Sequence, residues 1–254
     1  MKEKILDLVF PERCMICGRV MKETKSRIAI CHHCAEKLTF LDEVPTCRIC
    51  GCQLTSLEPF CPTCQTHVHY FTRAVACLPY KEGIRHAVLQ YKFYGRRDLC
   101  RTFARLLYYR VLPFHRQNPF DCVVCTPMTE AAHRERGYHH TNLIAEPVAK
   151  ELGIPFLSEA FSKSAETRKQ SSLDYVSRFK NVEKAFSLSM PKKAFKGKHV
   201  LLIDDVLTTG ATADALSKLL SDAGAERVFV ATVAGTQKEQ YAPVTEEDEL
   251  AVMF

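Results

Sequence analysis

Two adjacent carboxylates, Asp204 and Asp205, stand between an apolar run and a loop of hydroxyls in the stretch VLLIDDVLTTGAT, residues 200–212. That order of residue types can hold a sugar phosphate. Carboxylates held at the carboxyl end of a buried strand can accept hydrogen bonds from ribose hydroxyls. Free backbone N–H groups at a loop that opens a helix attract phosphate. Gly210 lets the backbone approach closely, and Thr208, Thr209 and Thr212 add hydroxyl donors. A second chemistry is written near the start of the chain. Cys14-x-x-Cys17, Cys31-x-x-Cys34, Cys47-x-x-Cys50 and Cys61-x-x-Cys64 have zinc-knuckle spacing, because two thiolates two residues apart bind one metal from a tight turn. Gly18 and Gly51 follow the first and third pairs, as such turns favour. The reading is two structural zinc ions in sequential sites, Cys14/Cys17/Cys31/Cys34 and Cys47/Cys50/Cys61/Cys64. The competing reading is a disulfide framework; no signal peptide or long apolar segment supports it, and a nucleotide-type α/β pattern follows. Cys52, His32, His33, His67 and His69 are possible substitute ligands, though such residues are more often bystanders.

The elements that must position these groups follow from periodicity. At 254 residues the chain can build a full α/β core plus a small module. Strands are expected over 73–78, 122–126, 154–157, 186–189, 198–204 and 227–234. Helices are expected over 82–93, 98–113, 140–152 ending at Gly153, and 212–223 capped by Gly224. Strands alternating with helices imply an α/β fold, a parallel sheet with helices on both faces. The organisation is then a Cys-rich zinc module over 1–70, a second domain over 71–236, and an acidic tail over 237–254.

Charge narrows the functional classes. The formal net charge of +6 treats cysteines as neutral. Eight zinc-bound thiolates and two Zn²⁺ contribute about −4, which leaves the loaded chain near +2. Residues 1–70 carry nine Lys/Arg and eight Asp/Glu, so the loaded module is net acidic, about −3 by the same count. It reads as a structural or protein-docking element rather than the main grip on nucleic acid. From Lys81 to Arg116, nine Lys/Arg stand against two acids, with tyrosines and phenylalanines interleaved. Cations track phosphates and exposed aromatics stack on unpaired bases. Arg97, Arg101 and Arg105 fall on one face of the expected helix and are read as a single-stranded DNA contact. A solvated helix surface is the plain alternative.

The 200–212 segment closely resembles the phosphoribosyl-pyrophosphate (PRPP) signature of type I phosphoribosyltransferases. That resemblance implies that Asp204 and Asp205 contact the ribose hydroxyls and that Leu207, Thr208, Thr209, Gly210, Ala211 and Thr212 wrap the 5′-phosphate. The whole chain except its tail resembles the ComF family, a cysteine-knuckle module joined to a phosphoribosyltransferase-like domain. The residues carrying this are Lys92 with Gly95-Arg96, the strand end at Cys125-Thr126-Pro127-Met128, Arg136-Gly137, and Gln170, Arg178, Asn181, Ala185 and Phe186. Where the family pattern continues Arg-Gly with Phe-Asn-Gln, this chain has Tyr138-His139-His140.

The resemblance implies a catalytic group of Asp204, Asp205 and Arg136. Lys92, Arg134, Arg136 and Gly137 would lie on the pyrophosphate side, with Mg²⁺ accompanying PRPP. A mobile loop around 165–178, with Gln170, Arg178 and Asn181, would close over the ligand. His133, His139 and His140 are read as surface residues, and Cys122 and Cys125 as packed small side chains. Three functions remain open: a PRPP-binding protein serving DNA uptake beside a DNA-translocating helicase, an active transferase in base or nucleotide salvage, and a PRPP-sensing regulator. The expected location is the cytoplasm, without membrane insertion.

Overall fold

The computed structural model describes residues 12–21, 28–54, 58–164 and 182–236. The expected closing loop with Gln170, Arg178 and Asn181, and the acidic tail, lie outside these residues. The described elements, in chain order, are α1 (His32–Ala35), α2 (Pro62–Thr66), β1 (Arg73–Pro79), α3 (Glu82–Phe93), α4 (Leu99–Gln117), β2 (Cys122–Cys125), α5 (Glu130–Arg136), α6 (His140–Leu152), β3 (Phe161–Lys163), β4 (Phe186–Leu188), β5 (His199–Leu207), α7 (Ala211–Asp222) and β6 (Arg227–Gly235).

Four strands pair in the order β1-β6-β5-β2, all parallel. Because successive side chains on a strand point to opposite faces, one sequence feeds two cores. Val75, Val123, Leu201, Ile203 and Val233 face α3, α4 and α6. Ala74, Val124, Val200, Leu202 and Val230 face the other way, toward α7 and the β3–β4 hairpin. Both faces are covered, which is why the strands read as unbroken apolar runs.

Several expectations are corrected. The acids do not end their strand: β5 runs through both to Leu207, pairing with β6 as far as Gly235. It is β2 that stops, at Cys125 opposite Ile203. Asp204 and Asp205 therefore project past the carboxyl end of the neighbouring strand. Residues 154–157 contribute a single parallel bridge, Val123 to Phe156. Residues 186–189 leave the parallel sheet for an antiparallel pair with Phe161–Lys163. The helix read as 98–113 continues through Pro113 to Gln117. Gly210, at φ 86°, sits just before α7, which begins at Ala211.

The cysteine module is built into the sheet. Ala29 N–H donates to Thr102 Oγ1 at 3.0 Å, tying the first ribbon, the segment that carries Cys14, Cys17, Cys31 and Cys34, to α4. Ala74 N–H donates to the Ile49 carbonyl at 2.6 Å, tying the second to β1. Gly51 sits at the closest approach. Its φ is +67°, and an added Cβ would lie 2.5 Å from the Ala74 carbonyl oxygen. Gly18 has a similar φ of +68° with nothing within 4 Å of that position. Gly18→Ala should therefore cost about 1 kcal/mol, the left-handed backbone penalty alone, and Gly51→Ala about 2 kcal/mol or more. Thermal melts of the two variants should rank in that order; equal losses would remove the close-contact argument.

Candidate functional site

The site forms where β5 outruns β2. Asp205 is 5% exposed, and each carboxylate oxygen has a partner from a different helix. Oδ1 lies 2.8 Å from Lys92 Nζ, in the last turn of α3. Oδ2 lies 2.7 Å from His140 Nε2, at the start of α6. Burial by itself would raise the Asp205 carboxyl; Lys92 and His140 outweigh it and hold the group well below the usual carboxylate range. Burial also works against the Lys92 ammonium, and Asp205 overcomes that, so Lys92 stays cationic. Asp204 goes the other way. Burial and then the neighbouring Asp205 charge raise it above its ordinary value.

Arg136 extends the network. Its Nη1 lies 3.1 Å from His140 Nδ1, and its guanidinium stacks 4.6 Å over Phe93. A guanidinium only donates, so Nδ1 of His140 accepts and the Nε2–H is left to donate to Asp205. Arg136 Nε is buried without a hydrogen-bond partner among the described residues, a donor held available at the crevice. His140 is thus buried and central, not a surface residue. His139 is also drawn in: it precedes α6 and accepts from Asn142 N. Burial and then His140 push it down to about 4. His133 stays exposed, as expected.

The loop between α5 and α6 is held by two tyrosine hydroxyls. Tyr138 Oη donates to the Tyr91 carbonyl, and Tyr91 Oη donates to the His140 carbonyl at 2.6 Å. Arg97 was expected on the helix face with Arg101 and Arg105. It precedes α4 instead, with its guanidinium 4.4 Å over Tyr138 and Nη2 reaching the Gly137 carbonyl at 3.4 Å. Arg105 reaches Glu151 on α6 at 3.2 Å; Arg101 is exposed. Arg134 lies exposed in the last turn of α5. Cys122 and Cys125 are packed as expected, their thiols pushed up to about 11 and about 12 by burial.

Sequence reasoning passed over Lys163. It lies on the β3–β4 hairpin, and burial lowers its ammonium while Asp204 counters from nearby and Arg136 and Lys92 add to the lowering. Of three cations on three separate elements, Lys92 thus pairs with Asp205 directly, Arg136 reaches it through His140, and Lys163 feels the charge of Asp204. Beside it, Leu207, Thr208, Thr209 and Gly210 line a small cavity shared with Cys50, Gly51 and Cys52 of the second ribbon.

The cysteines gather as the sequential pairing predicts. Within Cys14/Cys17/Cys31/Cys34 and within Cys47/Cys50/Cys61/Cys64, the sulfurs all lie within 4.8 Å of one another. The Cys17–Cys31 and Cys50–Cys61 Sγ separations are both 3.7 Å. A tetrahedral zinc with Zn–S bonds of ~2.3 Å spaces its sulfurs about 3.8 Å apart, so both quartets fit the ion, and no cysteine is in a disulfide. Among the described residues, no helix is long and apolar enough to cross a membrane.

Two family models match the chain. The model of a double zinc ribbon domain matches residues 5–65, and that of a phosphoribosyl transferase domain matches residues 143–251. Competence protein F of Haemophilus influenzae is 29% identical over 224 residues, covering 87% of this chain and 96% of its own. The DNA utilization protein YhgH of Salmonella typhimurium is 30% identical over 226 residues, 88% of this chain and 96% of its own. Competence protein ComFC of Streptococcus pneumoniae is 26% identical over 230 residues, with 85% and 96% covered. Likeness over more than four-fifths of this chain and nearly the whole length of its relatives is kinship of the whole chain, which belongs to the competence protein F (ComF) family.

Proposed function

We propose that the crevice past the carboxyl end of β2, where β5 runs on toward the Gly210 turn, binds PRPP, and that this binding serves the handling of incoming DNA. The observation that carries it is the buried, charge-paired Asp205 immediately before the Gly210 turn into α7. Asp204 and Asp205 accept from the ribose hydroxyls. Leu207, Thr208, Thr209, Gly210, Ala211 and Thr212 offer N–H and hydroxyl donors to the 5′-phosphate at the head of α7. Lys92, Arg136 and Lys163 face the pyrophosphate, with Gly137 giving close backbone approach and Arg134 at the rim. A Mg²⁺ accompanying the pyrophosphate and hydroxyl oxygens would offset the second acidic charge that burial disfavours at Asp204. Transfer, where an acceptor is present, displaces pyrophosphate from C1 with a nitrogen nucleophile, and the three cations stabilise the charge that develops on the departing group.

Titration calorimetry with Mg·PRPP should give saturable binding that Asp204→Asn/Asp205→Asn abolishes. Absence of binding at millimolar PRPP, or binding untouched by the double substitution, overturns the reading. A pyrophosphate-release assay against bases and amines then separates a transferase from a binding protein.

The DNA side rests on the relatives' names and on one exposed face of α4. There Arg101 lies one turn from Arg105, whose guanidinium lies 5.1 Å from the half-exposed Tyr109 ring. We place single-stranded DNA on that face, close to a translocating helicase, in the cytoplasm that keeps the cysteines reduced. Charge reversal at Arg101 and Arg105 should weaken oligonucleotide binding at least about tenfold at 0.1 M salt. Unchanged affinity would remove DNA from this face.

A further inference from the structure

Asp214, in the first turn of α7, is completely buried, yet its oxygens turn toward the second zinc ribbon rather than toward its own helix. Oδ1 accepts from Tyr70 N–H at 2.7 Å. Oδ2 meets His69 Nδ1 at 2.5 Å. The other ring nitrogen of His69, Nε2, lies 3.3 Å from Cys64 Sγ, one of the four sulfurs of the second quartet. The His69 side chain is itself 0% exposed. From a cysteine sulfur to the phosphate-loop helix is therefore one imidazole, with no water layer between.

His69 reaches the loop by two routes. Through Asp214 it meets the backbone: Asp214 N–H donates to the Gly210 carbonyl at 2.8 Å, closing the first turn of α7 on the loop glycine. Through Phe71 it meets the loop from beneath. The His69 and Phe71 rings stack at 4.5 Å and 16°, and Phe71 Cε1 lies 4.0 Å from where a Cβ on Gly210 would stand. Partners of a metal-bound ligand orient the ligand and tune the metal. Here the same partner also fixes the turn that receives the phosphate.

We infer that His69 is a positioning residue that couples the second zinc ribbon to the phosphate loop, so that zinc at Cys47/Cys50/Cys61/Cys64 and the sugar phosphate at Gly210 strengthen each other's binding. The inference rests on the PRPP reading above for the identity of the ligand, but not for the coupling path. His67, His69 and Asp214 could instead form a third metal site, since their ligand atoms cluster. The geometry disfavours it. Two atoms 2.5 Å apart would subtend only about 75° at an ion with bonds of ~2.05 Å, against about 109° for a tetrahedron.

Coupling between two sites is reciprocal, which gives a test that does not depend on turnover. The zinc affinity of the full-length protein, measured at equilibrium against a chromogenic chelator, should rise about fivefold or more at one of its two sites when Mg·PRPP is added. The first ribbon, which lacks such a bridge among the described residues, should not respond. His69→Leu, still carrying two zinc ions, should lose the PRPP effect, and His69→Gln should restore part of it. Hydrogen exchange of residues 208–216 should rise in zinc-loaded His69→Leu without any ligand. If that exchange is unchanged, or the PRPP effect survives in His69→Leu, the coupling is wrong. Three zinc ions per native chain would overturn it in favour of the metal site. Failure of PRPP to bind at all, with exchange still raised in His69→Leu, would overturn the proposed ligand and leave the coupling path standing.

Discussion

Cys50→Ser is expected to lose most of the fold's stability, whereas Cys17→Ser should lose far less. Both remove one thiolate from a four-sulfur site, so a difference between them has to come from their surroundings. Cys47, Cys50, Cys61 and Cys64 are 1%, 3%, 1% and 8% exposed, and they share one apolar cluster with Phe71, Leu202, Leu207 and Leu216. The second quartet is thus a wall of the sheet's own core. Apparent zinc-binding free energies of structural sites are about 10 kcal/mol or more, and where the site forms only on folding that energy is folding energy. Cys17 is exposed and Cys31 half-buried, so the first quartet opens toward solvent on one side. We expect Cys50→Ser to cost about 5 kcal/mol or more, comparable with a domain's whole net stability, and to melt the α7 face with it. Cys17→Ser should unfold the first ribbon and leave the parallel sheet largely protected. Hydrogen exchange with zinc content measured on each variant decides this. Equal loss of protection in β5 and β6 for both would show that the ribbons are equivalent supports.

Much of this architecture was legible because it depends on local pattern. Glu82–Phe93 and His140–Leu152 carry apolar residues at helical spacing, and Gly153 follows the second at φ 71°. The cysteine pairs are local by construction. What could not be read depends on partners far along the chain. Asp204 and Asp205 remain in a strand because β6 is longer than β2, and nothing in residues 200–212 records the length of either neighbour. α4 survives Pro113 because only its last turn follows, where the carbonyl deprived of a donor belongs to half-exposed Tyr109 and water can replace the bond. His140 meets Asp205 across 65 positions and His69 meets Asp214 across 145. One signal for His140 was present: the family pattern places an amide where this chain has an imidazole, and both can donate to a carboxylate. For Lys163 and His69 no local feature separates a site residue from a solvated one.

Lys92→Met tests the charge pair at the centre of the crevice, and its sign follows from the shifts. In the native protein the Asp205 carboxyl lies below its unfolded value, so its contribution to stability is fully present above the unfolded carboxylate pKa of about 4 and is lost only as pH falls through the lower folded value. Between pH 5 and 8 it should therefore be constant. Removing the ammonium leaves a buried carboxylate with one imidazole donor, and burial, the largest influence on this group, then dominates. Breaking one side of a buried pair typically costs about 3–5 kcal/mol; with Lys92 22% exposed we expect about 3 kcal/mol at pH 7.5. As pH falls toward 5 the variant's carboxyl takes up a proton, the uncompensated charge disappears, and the deficit should shrink. Asp204 opposes this in the native protein. Its raised carboxyl contributes stability at acid pH that is lost as pH rises above the ordinary carboxylate range, so the comparison must be made variant against native at each pH. Asp205→Asn/Lys92→Met should recover part of the loss, since the amide carries no charge to bury. A deficit that is flat from pH 5 to 8, or a double variant no better than Lys92→Met, would mean that Lys92 stabilises by packing its aliphatic stem and that Asp205 is held ionised by His140 alone.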